Sequence, residues 1–230
     1  MGFYIVILQP MTRKIFIGDI HGCADELKIL LKKLNINEGD ELYFTWDYFT
    51  KGPKPVDVAK IILNCKAKVY WVQWNHDLYL WEVLDGKISK EEFKGNKEIL
   101  EFFINNEKYL QWFRNLPFWI EKEDFILVHA GFEPWESLRA QDIQTLVNIR
   151  GWQKKYQGKK MVIFWHDAAQ GLVKTDNVIG IDTWCVYWGY LTAFILDSQQ
   201  IFQVAALDYY TLANKQKWKQ KMLQFLTSKS

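Results

Sequence analysis

The chain has 230 residues, of which 49% are hydrophobic and 24% are charged, and this composition excludes general disorder because it supports a sizeable core. A net charge of +2 gives no general attraction to nucleic acid or to an anionic membrane. No apolar run reaches the ~18–20 residues of a transmembrane helix. The three cysteines are too few and too scattered for a disulfide framework, so we expect a cytoplasmic protein.

Strand and helix patterns alternate through the first third of the chain. Residues 14–17, 41–45 and 69–72 are predicted to be strands, and residues 25–34 and 56–63 are predicted to be helices. Strands that alternate with helices in this way indicate a layered α/β domain.

The later part of the chain adds more strands. The remaining predicted elements are a helical region from about 78 to 116, strands at 125–128 and 161–164, a hairpin of 191–196 with 201–206, and a helix at 214–226. We expect one domain over residues 11–230, preceded by an N-terminal extension at residues 1–10; the alternative for residues 1–10 is an extra strand at a sheet edge.

The four histidines all lie at or just beyond the end of a predicted strand, beside Asp, Asn or Gly. They are His21, His76, His129 and His166. A single loop histidine is usually structural, but four in the same setting favour a shared site. Asp19 and His21 lie two residues apart at the end of an extended segment, so their side chains point to the same side and suit one metal ion.

Further donors follow the later strands. Asp47 could bridge two ions, and Asn75, His129 and His166 could complete a second coordination sphere. The mixture of oxygen and imidazole donors favours Mn²⁺, Fe, Zn²⁺ or Co²⁺ over Ca²⁺.

Five segments, in order, resemble the motifs of the calcineurin-like metallophosphoesterases. They are residues 18–22 (GDIHG), 46–53 (WDYFTKGP), 74–77 (WNHD), 129–131 (HAG) and 165–166 (WH). Residues 166–172 and 180–189 resemble the tail of the ApaH-like phosphatases, which are relatives of the symmetrical dinucleoside tetraphosphatases. The chain is identified as a member of this superfamily on the ordered set of motifs.

The resemblance implies a four-layer α/β/β/α sandwich of two mixed sheets, with two divalent metal ions that activate a water for attack on phosphorus. Mn is the first choice for the ions, and Fe, Zn, Co, Ni or Mg are alternatives. One ion would be held by Asp19, His21 and Asp47, and the other by Asp47, Asn75, His129 and His166.

The resemblance also assigns roles in catalysis. His76 would protonate the leaving oxygen, with Asp77 to orient it. Arg150 and Lys51 would bind phosphate.

The function that the resemblance implies is hydrolysis of phosphoanhydrides or phosphomonoesters, with dinucleoside polyphosphates as the first substrate class. A protein Ser/Thr phosphatase is the second choice, because Lys51 stands where that group carries Arg. A binding module that has lost turnover is an alternative of another class. We expect a nucleotide-like small molecule as the partner, with no membrane and no specific nucleic acid, and the oligomeric state is left open.

Tryptophan stands at positions where the motifs carry glycine. The chain has 12 Trp and only 13 Gly, and the six positions are Trp46, Trp74, Trp135, Trp165, Trp184 and Trp188. Glycine at strand-to-loop corners permits positive φ and close backbone approach, which an indole does not. We therefore expect that the gene has UGA codons at these positions and that they encode glycine. Translation with the wrong genetic-code table would then write tryptophan in their place. The alternative is a diverged or inactive homologue.

Overall fold

The computed structural model describes residues 12–44, 49, 51–73, 75–93, 96–166, 170–208 and 210, with only the backbone for residues 75–79, 112 and 113. The elements of the first part are β1 (Lys14–Ile17), α1 (Ala24–Leu34), β2 (Glu41–Phe44), α2 (Pro55–Leu63) and β3 (Lys68–Trp71). The next are α3 (Asn75–Leu84), α4 (Lys97–Ile104), α5 (Glu107–Arg114), β4 (Trp119–Glu121) and β5 (Phe125–Val128). The last are α6 (Ile143–Asn148), β6 (Met161–Phe164), β7 (Val173–Lys174), β8 (Val178–Gly180), β9 (Tyr190–Ile195) and β10 (Gln200–Ala205).

The strands form two mixed five-stranded sheets. The first has the order β10-β9-β1-β2-β3, with β1, β2 and β3 parallel and β9 antiparallel to β1. The second has the order β4-β5-β6-β8-β7, with β5, β6 and β8 parallel at its centre. Each sheet therefore has a parallel centre, whose carboxyl ends meet at one edge.

The side chains of β1 alternate between two cores. Ile15 and Ile17 pack in a cluster with α1 and α2, whereas Phe16 packs in a second cluster with residues of the other sheet. Phe16 stacks on Tyr43 of β2 at 4.8 Å between ring centroids and meets Phe125 of β5 edge-on at 4.9 Å. Because successive strand residues face opposite sides, β1 is buried both by helices and by the second sheet.

This arrangement confirms the predicted layered α/β/β/α fold. The predicted strands at 14–17, 125–128 and 161–164 match β1, β5 and β6, and the hairpin is formed by β9 and β10. The helical region that we expected to begin near residue 78 begins at Asn75, and it is divided into α3, α4 and α5.

Two expectations fall outside the described residues. These are the N-terminal extension at 1–10 and the helix at 214–226. Within the part of the chain that the structure describes, no helix has the length and apolar character needed to cross a membrane.

Candidate active site

Four of the six predicted metal ligands lie at the carboxyl ends of the central parallel strands. Asp19 and His21 follow β1 of the first sheet, while His129 directly follows β5 and His166 comes two residues after β6 of the second. Asp19, His21 and His129 are buried, with 7%, 5% and 2% of their surface exposed. Buried polar side chains of this kind are expensive unless they bind one another or an ion.

The imidazoles of His129 and His166 face each other. The Nε2 atom of His129 lies 2.9 Å from the Nδ1 atom of His166. Bonds of ~2.0–2.1 Å from each nitrogen to a shared ion would give about this separation at a right angle. The donor pair therefore fits a single metal ion.

The first sheet supplies the second donor pair. Oδ2 of Asp19 lies 3.9 Å from Nε2 of His21. A metal with bonds of ~2.0–2.2 Å to oxygen and nitrogen fits between atoms at this distance. The pair joins a carboxylate to an imidazole, which is the mixed donor chemistry that the sequence predicts.

The two loops that carry these pairs pack directly on each other. A Cβ atom at Gly18 would lie 2.4 Å from the carbonyl oxygen of Ile181 and 3.1 Å from Nε1 of Trp165. The backbone N–H of Trp165 donates to the carbonyl of His129 at 2.8 Å. Gly18 therefore permits the end of β1 to approach the ends of β6 and β8.

A further loop, residues 51–54, lies against the His21 turn. A Cβ at Gly52 would come within 1.7 Å of the His21 carbonyl oxygen, so only glycine fits there. The Lys54 side chain forms an ion pair with Asp25 at 2.5 Å, and this hydrogen bond lowers the pKa of Asp25. The exposed Lys51 ammonium lies 5.7 Å from the ring centroid of Tyr187.

Arg150 lies in a segment that is fastened to the loop of His129. The backbone N–H of Ala130 donates to the Leu146 carbonyl of α6 at 2.9 Å, and the indole N–H of Trp152 donates to the Ala130 carbonyl at 2.7 Å. Arg150 is exposed between these two anchors. The chain on either side of Arg150 is therefore hydrogen-bonded to the loop of His129.

Three of the predicted site residues have a left-handed backbone. The φ angles are 46° at His21, 70° at Lys51 and 75° at His166. Positive φ is uncommon for residues other than glycine and is concentrated at functional sites. The clustering of such angles at this edge supports a functional role for the loops.

Some predicted residues cannot be placed in this way. Asp47 lies outside the described residues. Asn75, His76 and Asp77 form the first turn of α3, which follows β3, and only their backbone is described. Their roles stay predictions.

Asp182 was missed by the sequence reasoning. It follows β8 at the same edge of the second sheet and is 7% exposed. The available signal was an acidic residue directly after the apolar run 178–181, which is the same pattern that singles out Asp19.

The thiol of Cys23 lies just beyond His21. A hydrogen bond with Cys185, together with burial, raises the pKa of this thiol. We therefore expect Cys23 to be neutral beside the site.

The tryptophans at glycine-like positions differ in backbone conformation. Trp184 and Trp188 have φ of 67° and 81°, a region that favours glycine. Trp135 and Trp165 are not among the described residues with positive φ; Trp165 is buried and Trp135 is exposed. Trp46 and Trp74 lie outside the described residues.

Comparison with known proteins adds the family. The model of the calcineurin-like phosphoesterase family matches residues 12–220. The chain is 27% identical to the symmetrical bis(5'-nucleosyl)-tetraphosphatase of Neisseria meningitidis serogroup A, over 83% of this chain and 94% of that protein.

Solved structures give the same architecture. A crystal structure of a "putative diadenosine tetraphosphatase" is 25% identical, with a TM-score of 0.70, over 86% of this chain and 95% of that one. A protein serine/threonine phosphatase from Saccharomyces cerevisiae is 13% identical, with a TM-score of 0.60, over 86% of this chain and 80% of that one, and this likeness concerns the fold alone.

Proposed function

Since the chain belongs to the calcineurin-like phosphoesterase family, which makes it a metal-dependent hydrolase of phosphoesters or phosphoanhydrides, we propose that its substrates are dinucleoside polyphosphates cleaved symmetrically. The observation that supports the proposal is the presence of two donor pairs, one from each sheet, on loops that pack together at Gly18. Asp19 with His21 and His129 with His166 are the two pairs. The relatives named as symmetrical tetraphosphatases supply the substrate class.

The donor chemistry of these residues is of the kind that suits the dinuclear centre that the family implies. We propose that Asp19, His21 and Asp47 hold one ion and that Asp47, Asn75, His129 and His166 hold the other, with Mn²⁺ as the preferred metal. Such ions, when bound, lower the pKa of water and neutralise charge on phosphoryl oxygens.

The other residues act on the phosphate and on the leaving group. Arg150 presents a planar guanidinium that can bind two phosphoryl oxygens, and Lys51 supplies a point charge from the neighbouring loop. We propose that His76 donates a proton to the departing phosphate oxygen while Asp77 orients its ring. In a dinucleoside tetraphosphate that leaving oxygen belongs to a nucleoside diphosphate.

A substrate panel tests this proposal. The full chain with added Mn²⁺ is given diadenosine tetraphosphate, inorganic polyphosphate, capped RNA and a phosphopeptide. We expect the first to be cleaved fastest, and anion-exchange chromatography should show two equivalents of ADP. Formation of ATP and AMP would contradict symmetrical cleavage. Faster hydrolysis of the phosphopeptide would indicate that the chain is a protein phosphatase instead.

The matched control is His129→Ala, which removes one donor of the imidazole pair. It should lose hydrolysis of every substrate in the panel, because all of them depend on the same centre. If the wild-type chain binds Mn²⁺ but hydrolyses no substrate, including a generic aryl phosphate, the alternative of a non-catalytic binding module is correct. The three cysteines are free, which agrees with the cytoplasmic location that we also propose.

A further inference from the structure

A second group of metal-binding side chains lies beneath the His21 loop. It consists of Cys23, Glu26 and Cys185, whose ligand atoms all lie within 4.8 Å of one another and which are all buried. Cys23 immediately precedes α1, and Glu26 lies in the first turn of that helix. Cys185 belongs to the tight turn that follows Trp184, where the Tyr187 and Gly189 N–H groups donate to the Trp184 carbonyl.

Glu26 gives this group a feature that thiols alone would lack. Its side chain is completely buried, and its Oε1 accepts hydrogen bonds of 2.8 Å from the Leu207 N–H and the Tyr210 hydroxyl. Its Oε2 is buried too and has no hydrogen-bond partner among the residues that the structure describes. A buried carboxylate oxygen in this position is costly unless a proton or a cation neutralises it.

The donor chemistry selects the ion. Two sulfur atoms and one carboxylate oxygen form a soft donor set, which prefers Zn²⁺ to Mn²⁺ or Mg²⁺. The centre proposed for catalysis has only oxygen and nitrogen donors. The two groups should therefore differ in the metal that they bind.

From this geometry we infer that Cys23, Glu26 and Cys185 bind one Zn²⁺ ion at a structural site separate from the catalytic centre. Binding releases the two thiol protons to solvent and leaves two thiolates and a carboxylate on the ion. Three protein donors leave one further position of a tetrahedral ion.

The site would join three segments that are distant in sequence. Cys23 and Glu26 come from the start of α1, Cys185 from the turn after β8, and Glu26 also holds the segment after β10 through Leu207 and Tyr210. Because Cys23 lies two residues from His21, the ion would fix the backbone that presents a catalytic donor. An ion that binds this buried site only in the folded chain stabilises the fold.

Titration with Co²⁺ under a phosphine reductant tests the inference without any activity measurement. Cobalt bound to thiolates has a sulfur-to-metal charge-transfer band in the near ultraviolet, which oxygen and nitrogen donors do not produce. We expect one thiolate-bound Co²⁺ per chain, displaced by Zn²⁺. Absence of the band from the wild-type chain would overturn the proposal without reference to any variant.

Variants locate the site. The band should disappear in Cys23→Ser and in Cys185→Ser, and it should persist in the matched control Cys65→Ser, since Cys65 is the remaining cysteine and lies outside the group. Glu26→Gln retains both thiols and should lower the affinity of the thiolate site for Zn²⁺ by at least about 10–100-fold. A loss of this size is found even for groups that only orient a metal ligand. A band that survives in both serine variants, or that is lost in Cys65→Ser, would contradict the assignment.

Folding is followed by far-ultraviolet circular dichroism. If a serine variant does not fold, the stoichiometry in wild type and the affinity in Glu26→Gln decide the question. One thiolate-bound Co²⁺ per chain with unchanged Zn²⁺ displacement in Glu26→Gln would remove Glu26 from the site and overturn the three-donor proposal. Because no outcome depends on hydrolysis, failure of this inference is distinct from failure of the proposed function.

Discussion

The two histidines that follow β5 and β6 are proposed to have a different chemical role from the histidine in the first turn of α3. His129 and His166 place ring nitrogens 2.9 Å apart, a spacing suited to ligands of one ion. His76 follows Asn75 in the first turn of α3 and is proposed as an acid rather than a ligand. A single substitution of each type separates these two roles.

His129→Ala should lower metal affinity by at least about 10–100-fold, the range for weaker perturbations of metal sites, and should nearly abolish turnover. His76→Ala should reduce kcat by about 10²–10⁴ while metal stays bound, as expected for loss of an acid catalyst. Metal content by plasma mass spectrometry and kcat with a generic aryl phosphate measure the two effects. Equal loss of metal in both variants would show that His76 is a ligand.

Trp188 combines a bulky side chain with a backbone conformation that suits glycine. Its φ is 81°, and 60% of its surface is exposed, so the indole gains little from burial. Left-handed backbone costs a residue other than glycine about 1–2 kcal/mol, whereas glycine loses only about 0.5–1 kcal/mol through its greater freedom when unfolded.

Trp188→Gly should therefore leave stability unchanged or raise it by about 1 kcal/mol, which corresponds to roughly 2–4 °C in Tm for a chain of this size. Trp135→Gly is the matched control, because Trp135 is also exposed, at 64%, but lacks a positive φ. Its Tm should fall. A lower Tm for Trp188→Gly would remove the conformational argument for glycine there, and UGG codons in the gene at 46, 74, 165, 184 and 188 would refute the decoding hypothesis.

At the scale of elements, the sequence predicts the buried parallel strands better than the short edge strands. Runs such as Phe125–Val128 are wholly apolar and bounded by polar residues, so their limits are visible. Three short strands were not predicted, because two or three residues are too few to show the alternation of apolar and polar side chains. They are Trp119–Glu121, Val173–Lys174 and Val178–Gly180.

The Ser89–Glu92 pair shows a second limit of local patterns. The backbone N–H of Glu92 donates to the Ser89 hydroxyl at 3.2 Å, and the Ser89 N–H donates to the Glu92 carboxylate at 3.4 Å. These are the reciprocal bonds of a capping box, but here they close a turn between α3 and α4, and the helix begins only at Lys97. The reciprocal hydrogen bonds of the motif therefore form here without a helix start.

The N-cap of helix α6 stabilises a helix that is hydrogen-bonded to the loop of His129. The Asp142 carboxylate accepts a hydrogen bond from the Gln144 N–H at 2.6 Å, and the Leu146 carbonyl of the same helix accepts one from Ala130 beside His129. Loss of the cap should therefore disturb the loop that precedes Arg150 as well as the helix itself.

Asp142→Ala should cost about 1 kcal/mol of stability and should raise KM by up to about fivefold, the factor that corresponds to that energy. Asn96→Ala is the matched control. Asn96 caps α4 by accepting from Glu98 N–H at 2.8 Å, and α4 packs mainly against α2, α3 and α5 rather than against α6. It should lose similar stability without a change in KM. Asp142→Asn should restore both the stability and the KM. An unchanged KM in Asp142→Ala would show that α6 does not affect substrate binding.

At the scale of the whole molecule, the site depends on contacts that no segment of sequence contains. The order of donors after strands indicates that they share an edge, because parallel strands end together. The 2.9 Å spacing of His129 and His166 follows from the pairing of β5 with β6, and the approach of the first sheet to these loops follows from packing such as that of Gly18 on Ile181. Asp182 was missed because its place beside the site comes from β8, a three-residue strand.

Because Asp19 and His21 follow a strand of one sheet and His129 and His166 follow strands of the other, metal bound by these side chains should hold the sheets together. An ion that binds only the folded chain stabilises it by about 2.7 kcal/mol at a concentration 100 times its Kd, which corresponds to roughly 5–10 °C in Tm at this chain length. Differential scanning fluorimetry after chelation, with and without Mn²⁺ restored, measures the shift.

Mn²⁺ is the appropriate probe because the soft donors of Cys23 and Cys185 disfavour it. His129→Ala should lose most of the shift, whereas Asn96→Ala should start from a lower Tm and show the full shift. An identical Tm with and without Mn²⁺ would mean that the two sheets are held together by their packing alone.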